Sequence, residues 1–233
     1  MNKKEQHNQG IMLLDRNEVE SYLSLEETVE TVEFAYTQYY KQKAIVPPVV
    51  NLMLDDRDGE LDVKTGYLPG FEMIGVKIAS GFYQNVKNFG IPSWSSVIML
   101  ADAETGFPVG VIDGSYVTTI RTGAAGAVGA KYLARPESET IFILGAGNQA
   151  RIQLLAITKV MNNIKKAFVY SPIKEEVDCY VEEMSEKLEI SIVGICEKSD
   201  IESAVKQADI IVTVTPSKSP QILREWIKEG THI

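Results

Sequence analysis

The chain has 233 residues, 45% of them hydrophobic and 24% charged, enough to bury a sizeable core as one large domain or two small ones. Its 23 Lys and Arg against 32 Asp and Glu leave a net charge of −9, which argues against nucleic acid or an anionic membrane as partner. Two histidines, His7 in a polar tail and the penultimate His232, argue against a histidine triad or a His-rich metal site, so proton chemistry is left to Lys, Asp, Glu, Tyr or a cofactor.

The first ten residues are expected to be mobile, and no secretory leader or membrane span is predicted. Asp15 and Glu18 have the spacing of a capping box for a short helix through Leu23. Ser24 and Glu27 repeat it. Leu25, Val29, Val32, Tyr36 and Tyr39 then fall on one helical face, the tyrosines being read as packing. Residues 44–48 end that helix. Extended segments follow at 49–54, 60–64 and 75–79, with 55–59 as a polar turn and 66–70 as a loop. Strands at 96–101 and 108–113 flank the turn at 102–108. This half reads as an α+β unit on a mostly antiparallel sheet.

Residues 116–134 read as a helix whose centre carries Gly123, Gly126 and Gly129 among alanines. Each glycine costs a helix about 1 kcal/mol relative to alanine. A second helix or a bound cofactor is therefore expected very close to this face. Pro136 closes the segment, and the domain boundary is set there, giving domains 1–135 and 136–233. Beyond it strands at 140–144, 167–170, 191–195 and 209–215 alternate with helices at 148–161, 174–188 and 200–207, the last with Ser199 and Glu202 as a capping box. That order predicts a parallel sheet with right-handed crossovers.

The second half is organised around Ile141-Phe142-Ile143-Leu144-Gly145-Ala146-Gly147-Asn148-Gln149-Ala150, a short apolar strand running into G-x-G-x-x-A and then into a helical period. Gly145 permits the tight turn, Gly147 lets a pyrophosphate approach the backbone, and Ala150 lets helix and strand pack closely. The helix start then presents free N–H groups and a partial positive charge to phosphate. The fold class is accordingly α/β, a Rossmann-type parallel sheet domain preceded by an α+β domain. Gly230-Thr231-His232-Ile233 reads as a fifth strand just beginning, and the sequence is expected to be a truncated form of a longer protein. Cys179 and Cys196 form no metal-like pair, which is read as a reducing cytoplasm.

The run Asp113-Gly114-Ser115-Tyr116-Val117-Thr118-Thr119-Ile120-Arg121-Thr122-Gly123, followed by Gly145-Ala146-Gly147-Asn148-Gln149-Ala150, resembles the ornithine cyclodeaminase/mu-crystallin family. So do Gly66-Tyr67-Leu68-Pro69-Gly70, Lys77, the stretch from Asp102 to Pro108, and the closing Gly230-Thr231-His232-Ile233. The resemblance implies a Rossmann domain plus a substrate and dimerisation domain, a homodimer, and hydride transfer between a nicotinamide cofactor and the α-carbon of a small amino or imino acid. It also implies that the chain would continue past Ile233, where an acidic residue needed for cyclodeamination would lie.

Lys77 sits on an otherwise apolar segment, where a lysine alone is more often an edge-strand charge. The resemblance implies instead that it contacts the substrate, to hold a carboxylate or move a proton. It also implies that Arg121 and Thr122 face the cofactor phosphates, and it puts Ser93 towards the nicotinamide through a loose alignment of 85–95. Gly145, Gly147, Asn148 and Gln149 form the phosphate turn, and Thr215 ends the fourth strand, at the edge where open α/β sheets bind ligands. Val49 stands where many relatives carry a carboxylate-binding arginine. Lys64 is then the substitute, or an ordinary solvated charge. At the end of the second Rossmann strand, Ser171 and Lys174 with no acid between them point to NADP, with NAD tolerated.

The reading that results is a cytoplasmic NAD(P)H-dependent reductase of a cyclic imine such as Δ1-pyrroline-2-carboxylate. Ornithine cyclodeamination is the alternative enzyme, and a non-enzymatic NAD(P)H-binding protein is the alternative of a different class.

Overall fold

A computed structural model of the chain describes residues 10–217 and 219–233. His7 and nearly all of the stretch expected to be mobile lie outside the described residues. By internal contacts the chain divides into two compact units. The first comprises residues up to Ser24 together with Glu33–Thr118, the second Leu25–Val32 together with Thr119–Ile233.

In the first unit, β1 (Met12–Leu14) leads into α1 (Arg16–Tyr22), and α2 (Leu25–Tyr40) follows, its residues up to Val32 belonging to the second unit. The capping box of α1 forms in full: Glu18 N–H donates to Asp15 Oδ1 and Asp15 N–H donates to Glu18 Oε2, both at 2.9 Å. After α2 come β2 (Val50–Leu54), β3 (Gly59–Tyr67), β4 (Met73–Phe82), the short α3 (Asn85–Phe89), β5 (Trp94–Asp102) and β6 (Pro108–Asp113). The strands make one sheet in the order β1-β6-β5-β4-β3-β2. Every pairing is antiparallel except β1, which runs parallel to β6.

Three expectations need correction here. Tyr36 and Tyr39 are 52% and 64% exposed, so they do not pack in this chain as the helical face predicted. Gly66 and Tyr67 are not loop but the end of β3, paired with Gly75 and Ile74. And β3 and β4 run well beyond 60–64 and 75–79, through glycines that read as breaks. At one end of the pair the reason is cross-strand filling. Gly59 lies opposite Phe82 and Gly81 opposite Trp94, and those rings occupy the space a Cβ would take, at 2.5 and 2.7 Å.

The second unit takes α4 (Gly114–Leu133) from Thr119 on, followed by β7 (Thr140–Leu144), α5 (Asn148–Val160), β8 (Lys166–Tyr170), α6 (Lys174–Lys187), β9 (Ser191–Ile195), α7 (Ile201–Gln207) and β10 (Ile210–Thr213). The strands form a wholly parallel sheet in the order β10-β7-β8-β9. Alternation in β7 splits its apolar run between two cores. Ile141 and Ile143 pack with Leu154 and Ile157 of α5 and Tyr180 and Met184 of α6. Phe142 and Leu144 pack with Ile201, Ala204 and Val205 of α7. Helices on both faces explain why this strand is apolar throughout.

The small-residue face of α4 is answered by a second helix. A Cβ on Gly123 would lie 2.8 Å from Ile152 Cγ1 and 3.0 Å from its carbonyl oxygen, and one on Gly126 would lie 2.0 Å from Gln153 Oε1. Ala124, Ala127 and Val128 pack against Ala156 of α5 and Val29 at the start of α2.

The expected capping box of α7 does not form. Ser199 donates to Asp200 Oδ1 at 3.3 Å, and no side chain caps the helix. The start of a fifth strand at the chain's end is present as one parallel bridge, Ile210 to His232. Among the described residues no helix is long and apolar enough to cross a membrane, and no cluster of His, Cys, Asp and Glu could hold a metal ion.

Candidate functional site

In the second unit the site is a turn. β7 ends at Leu144, and Gly145 follows with φ +113°, a left-handed conformation that strains any residue with a Cβ. Its N–H donates to the Tyr170 carbonyl at 2.8 Å, which ties the turn to the end of β8. A Cβ at Gly145 would also lie 2.8 Å from the Val214 carbonyl oxygen and 3.3 Å from Thr215 Cγ2. Thr215 thus sits beside the turn, two residues past the end of β10 rather than closing that strand as expected. Gly147 is the N-cap of α5, no side chain caps the helix, and a Cβ there would meet nothing within 4 Å. Asn148 is exposed, while Gln149 buries its Oε1 without a hydrogen-bond partner among the described residues.

At the end of β8, Ser171 is buried, 4% exposed, and its hydroxyl donates to Glu176 Oε2 at 2.8 Å. Lys174 pairs with Asp178 at 2.5 Å. An acid therefore does stand at this strand end. None lies between residues 171 and 174, but the first turn of α6 brings Glu176 back onto Ser171. Arg121 and Thr122 lie on α4. Arg121 is exposed, and the Thr122 carbonyl accepts from Gln153 Nε2 at 3.0 Å.

In the first unit the candidate residues share one face of the sheet. Lys64 and Lys77 are directly paired across β3 and β4. Side chains alternate along each strand, so Asn51, Asp62, Lys64, Lys77 and Ser96 lie on the same side. Lys77 is half-buried and donates to Thr118 Oγ1 at 3.2 Å, and Thr118 shares a 3.2 Å hydrogen bond with Ser96 Oγ. Lys64 is more exposed and pairs with Asp62 at 2.7 Å. Hydrogen bonds from Lys64 first and then Asn51 hold the Asp62 carboxyl below its ordinary pKa, so it remains an anion between the lysines. Ser93 precedes β5, and its carbonyl accepts from Phe82 N–H at 2.7 Å.

Sequence reasoning missed Glu176, Thr118, Ser96 and Arg151. One signal was available for Arg151, because a cation in the first turn of a helix opposes the helix dipole and needs a partner from elsewhere.

A wholly parallel sheet with a G-x-G-x-x-A turn at its carboxyl edge, joined to a larger mixed sheet, is a Rossmann-type α/β architecture of the dehydrogenase kind. The sequence pattern of the ornithine cyclodeaminase/mu-crystallin family matches residues 9–233, and the chain belongs to that family. An alanine dehydrogenase of Archaeoglobus fulgidus is 36% identical over 228 residues, covering 95% of this chain and 65% of its own length. The structure of Thermococcus litoralis Δ1-pyrroline-2-carboxylate reductase in complex with NADH and L-proline is similar at a TM-score of 0.90 and 37% identity, over 95% of this chain and 67% of that one. An archaeal alanine dehydrogenase dimer with bound NAD is similar at a TM-score of 0.87 and 34% identity, over 95% and 66%. The chain thus spans about two thirds of the length of these relatives.

Proposed function

We propose that the chain carries the coenzyme turn and substrate face of an NAD(P)H-dependent oxidoreductase that reduces a small cyclic imino acid, Δ1-pyrroline-2-carboxylate first among candidates, to the amino acid. The observation that carries the proposal is the turn from Gly145 to Ala150. Its residues fit a dinucleotide: the space above Gly147 is open and the start of α5 is uncapped. The substrate class is supported by the 37% identity to the Thermococcus reductase.

A bound reduced nicotinamide would supply the hydride to the imine carbon. The chain's own residues account for the other half of the reaction. Lys77 stands beside the Lys64–Asp62 ion pair, and the group's one net positive charge serves the substrate carboxylate in place of the arginine absent at Val49, with Lys64 shared between Asp62 and the substrate. Lys77, steered by Thr118, is the proton donor to the imine nitrogen.

For the coenzyme, the proposal is NADH ahead of NADPH, the reverse of the preference expected from residues 171–174. A 2′-phosphate at Ser171 would meet the Glu176 carboxylate, and Lys174 is engaged by Asp178. The two relatives of known structure named above hold NADH or NAD. A cytoplasmic location goes with this reading, supported by two free cysteines, Cys179 and Cys196.

The test is absorbance at 340 nm with NADH or NADPH and Δ1-pyrroline-2-carboxylate or pyruvate plus ammonia, and in parallel the release of ammonia from ornithine with NAD, because cyclodeamination returns the hydride it takes and consumes no net coenzyme. NADH consumption with the pyrroline is expected. Consumption only with pyruvate and ammonia would move the assignment to an alanine dehydrogenase, the reading that the Archaeoglobus relative favours. NADH binding without turnover of any of them leaves a non-enzymatic binder.

A further inference from the structure

Arg151 has an uncommon position. It lies in the first turn of α5, where the helix dipole disfavours a cation, and its side chain is only 17% exposed. What holds it there is a set of contacts reaching in two directions. Nε donates to Glu183 Oε2 of α6 at 2.6 Å, and the guanidinium lies 5.1 Å from the centre of the Tyr180 ring. On the other side Nη1 donates to the Ala146 carbonyl oxygen at 2.5 Å, in the middle of the glycine turn. Tyr180 reinforces the same junction. It is fully buried, burial raises its pKa so that the phenol stays protonated, and its hydroxyl donates to the Ala150 carbonyl at 3.1 Å.

The Ala146 carbonyl and the Gly147 N–H belong to one planar trans peptide, so they point in opposite directions. Fixing the oxygen on Arg151 therefore aims the Gly147 N–H away from the guanidinium. This peptide joins Ala146 to Gly147, and the glycine on its far side, with no Cβ to restrict φ, lets the plane rotate more cheaply than it would between two residues with side chains. Without an external hold its orientation would be poorly defined.

We infer that Arg151 is a positioning residue for the dinucleotide's diphosphate: by anchoring the Ala146 carbonyl from Glu183 and Tyr180, it presets the Gly147 N–H as a phosphate donor. The inference rests on the dinucleotide reading of the turn and adds to it the residue that preorganises the turn.

The experiment uses the full chain and three variants, Arg151→Ala, Arg151→Lys and Glu183→Gln. Dissociation constants for NADH are measured by fluorescence, and those for ADP and adenosine by competition against it. Hydrogen exchange of the Gly147 amide is followed in the free protein. Arg151→Ala is expected to weaken NADH and ADP together by tenfold or more, to leave adenosine, which has no phosphate, within twofold, and to change the Gly147 exchange rate. Arg151→Lys keeps a donor for the Ala146 carbonyl and should recover at least a third of the lost affinity on a logarithmic scale. Glu183→Gln, which removes the anchor but not the donor, should fall between the two and serves as the readout should Arg151→Ala not fold. Equal losses for adenosine and ADP would mean that Arg151 only props the two helices together, and unchanged NADH affinity would also overturn the inference. Failure of the unaltered chain to bind NADH or ADP at all would instead remove the dinucleotide reading on which it stands.

Discussion

Gly145 combines two constraints that only glycine meets, a φ of +113° and a Cβ direction ending 2.8 Å from the Val214 carbonyl oxygen. Gly145→Ala is expected to cost about 1–3 kcal/mol of stability from backbone strain, read as a lower urea midpoint, and to abolish NADH fluorescence enhancement. Were the alanine variant to bind NADH normally, the turn would not be where the diphosphate rests. Lys77 and Lys64 should separate kinetically. Lys77→Ala is expected to lower kcat by roughly 10²–10⁴ as a lost proton donor, and Lys64→Ala to raise KM with little effect on kcat as lost ground-state binding. Loss of kcat in both, or in neither, would count against the assigned roles. The glycines of this turn were legible because each answers a local requirement. Arg151 was not, because its meaning depends on Glu183 and Tyr180, which lie about thirty residues along the chain on another helix.

The spacing of α4 and α5 turns on two glycines that look equivalent in the sequence and differ in what faces them. At Gly123 the obstacle is partly the Ile152 backbone, which cannot move independently of its helix. Gly123→Ala is expected to destabilise by about 1–3 kcal/mol through overpacking. At Gly126 the obstacle is the end of the Gln153 side chain. It can swing away at the loss of its hydrogen bond to the Thr122 carbonyl, about 0.5–1.5 kcal/mol, offset by alanine's helix preference of about 1 kcal/mol. Gly126→Ala should therefore be near neutral, and chemical denaturation of both variants will decide. Asp209 is a second junction between elements. Its carboxylate accepts from Lys228 at 2.7 Å, from Arg135 at 3.3 Å, and from the N–H groups of Glu139 and Thr140 at the start of β7 at 2.9 and 3.0 Å. Burial raises its pKa, but Lys228 and the two N–H groups outweigh that and hold it below the ordinary 3.8. A depressed folded-state pKa means the unfolded chain binds the proton more readily, so this stabilisation is complete above about pH 3.8 and is lost as pH falls through the folded-state value. Asp209→Asn should be less stable than the parent by about 1.5–3 kcal/mol at pH 6, with the gap narrowing below pH 3.8. A gap independent of pH would argue that shape, not charge, matters there.

For the molecule as a whole, the two sides of the six-stranded sheet divide the work. The side bearing Lys64 and Lys77 also carries Asn51, Asp62 and Ser96, with Ile98 and Leu100 beside them. On the opposite side Val50, Ile78 and Val97 form one cross-strand row and are 65%, 41% and 38% exposed, with Leu52 at 53% and Met99 at 37% on the same side. An apolar sheet face of this kind needs a cover. The proposal that a second copy supplies it is supported by the archaeal alanine dehydrogenase, which is a dimer. Sedimentation velocity at micromolar concentration is expected to give a dimer, and Leu52→Lys a monomer that still binds NADH. A monomeric parent chain would remove the proposal. Tyr36 and Tyr39 were read as packed because helical spacing reports which residues share a face, not whether anything stands opposite it.

Local pattern by itself settled the parallel βα half of this protein. An apolar strand, a glycine turn and a helix each carry their signals within a few residues, and the strands at 140–144 and 191–195 match the structure end to end. Only the tertiary structure decided what depends on partners distant in the chain. β1 is three residues with no signal of its own until β6 lies beside it. β3 begins at Gly59 and β4 runs through Gly81 because Phe82 and Trp94 fill those gaps from the neighbouring strand. The acid at the end of β8 is Glu176, since the first turn of α6 folds back and returns a residue five positions on to the Ser171 hydroxyl.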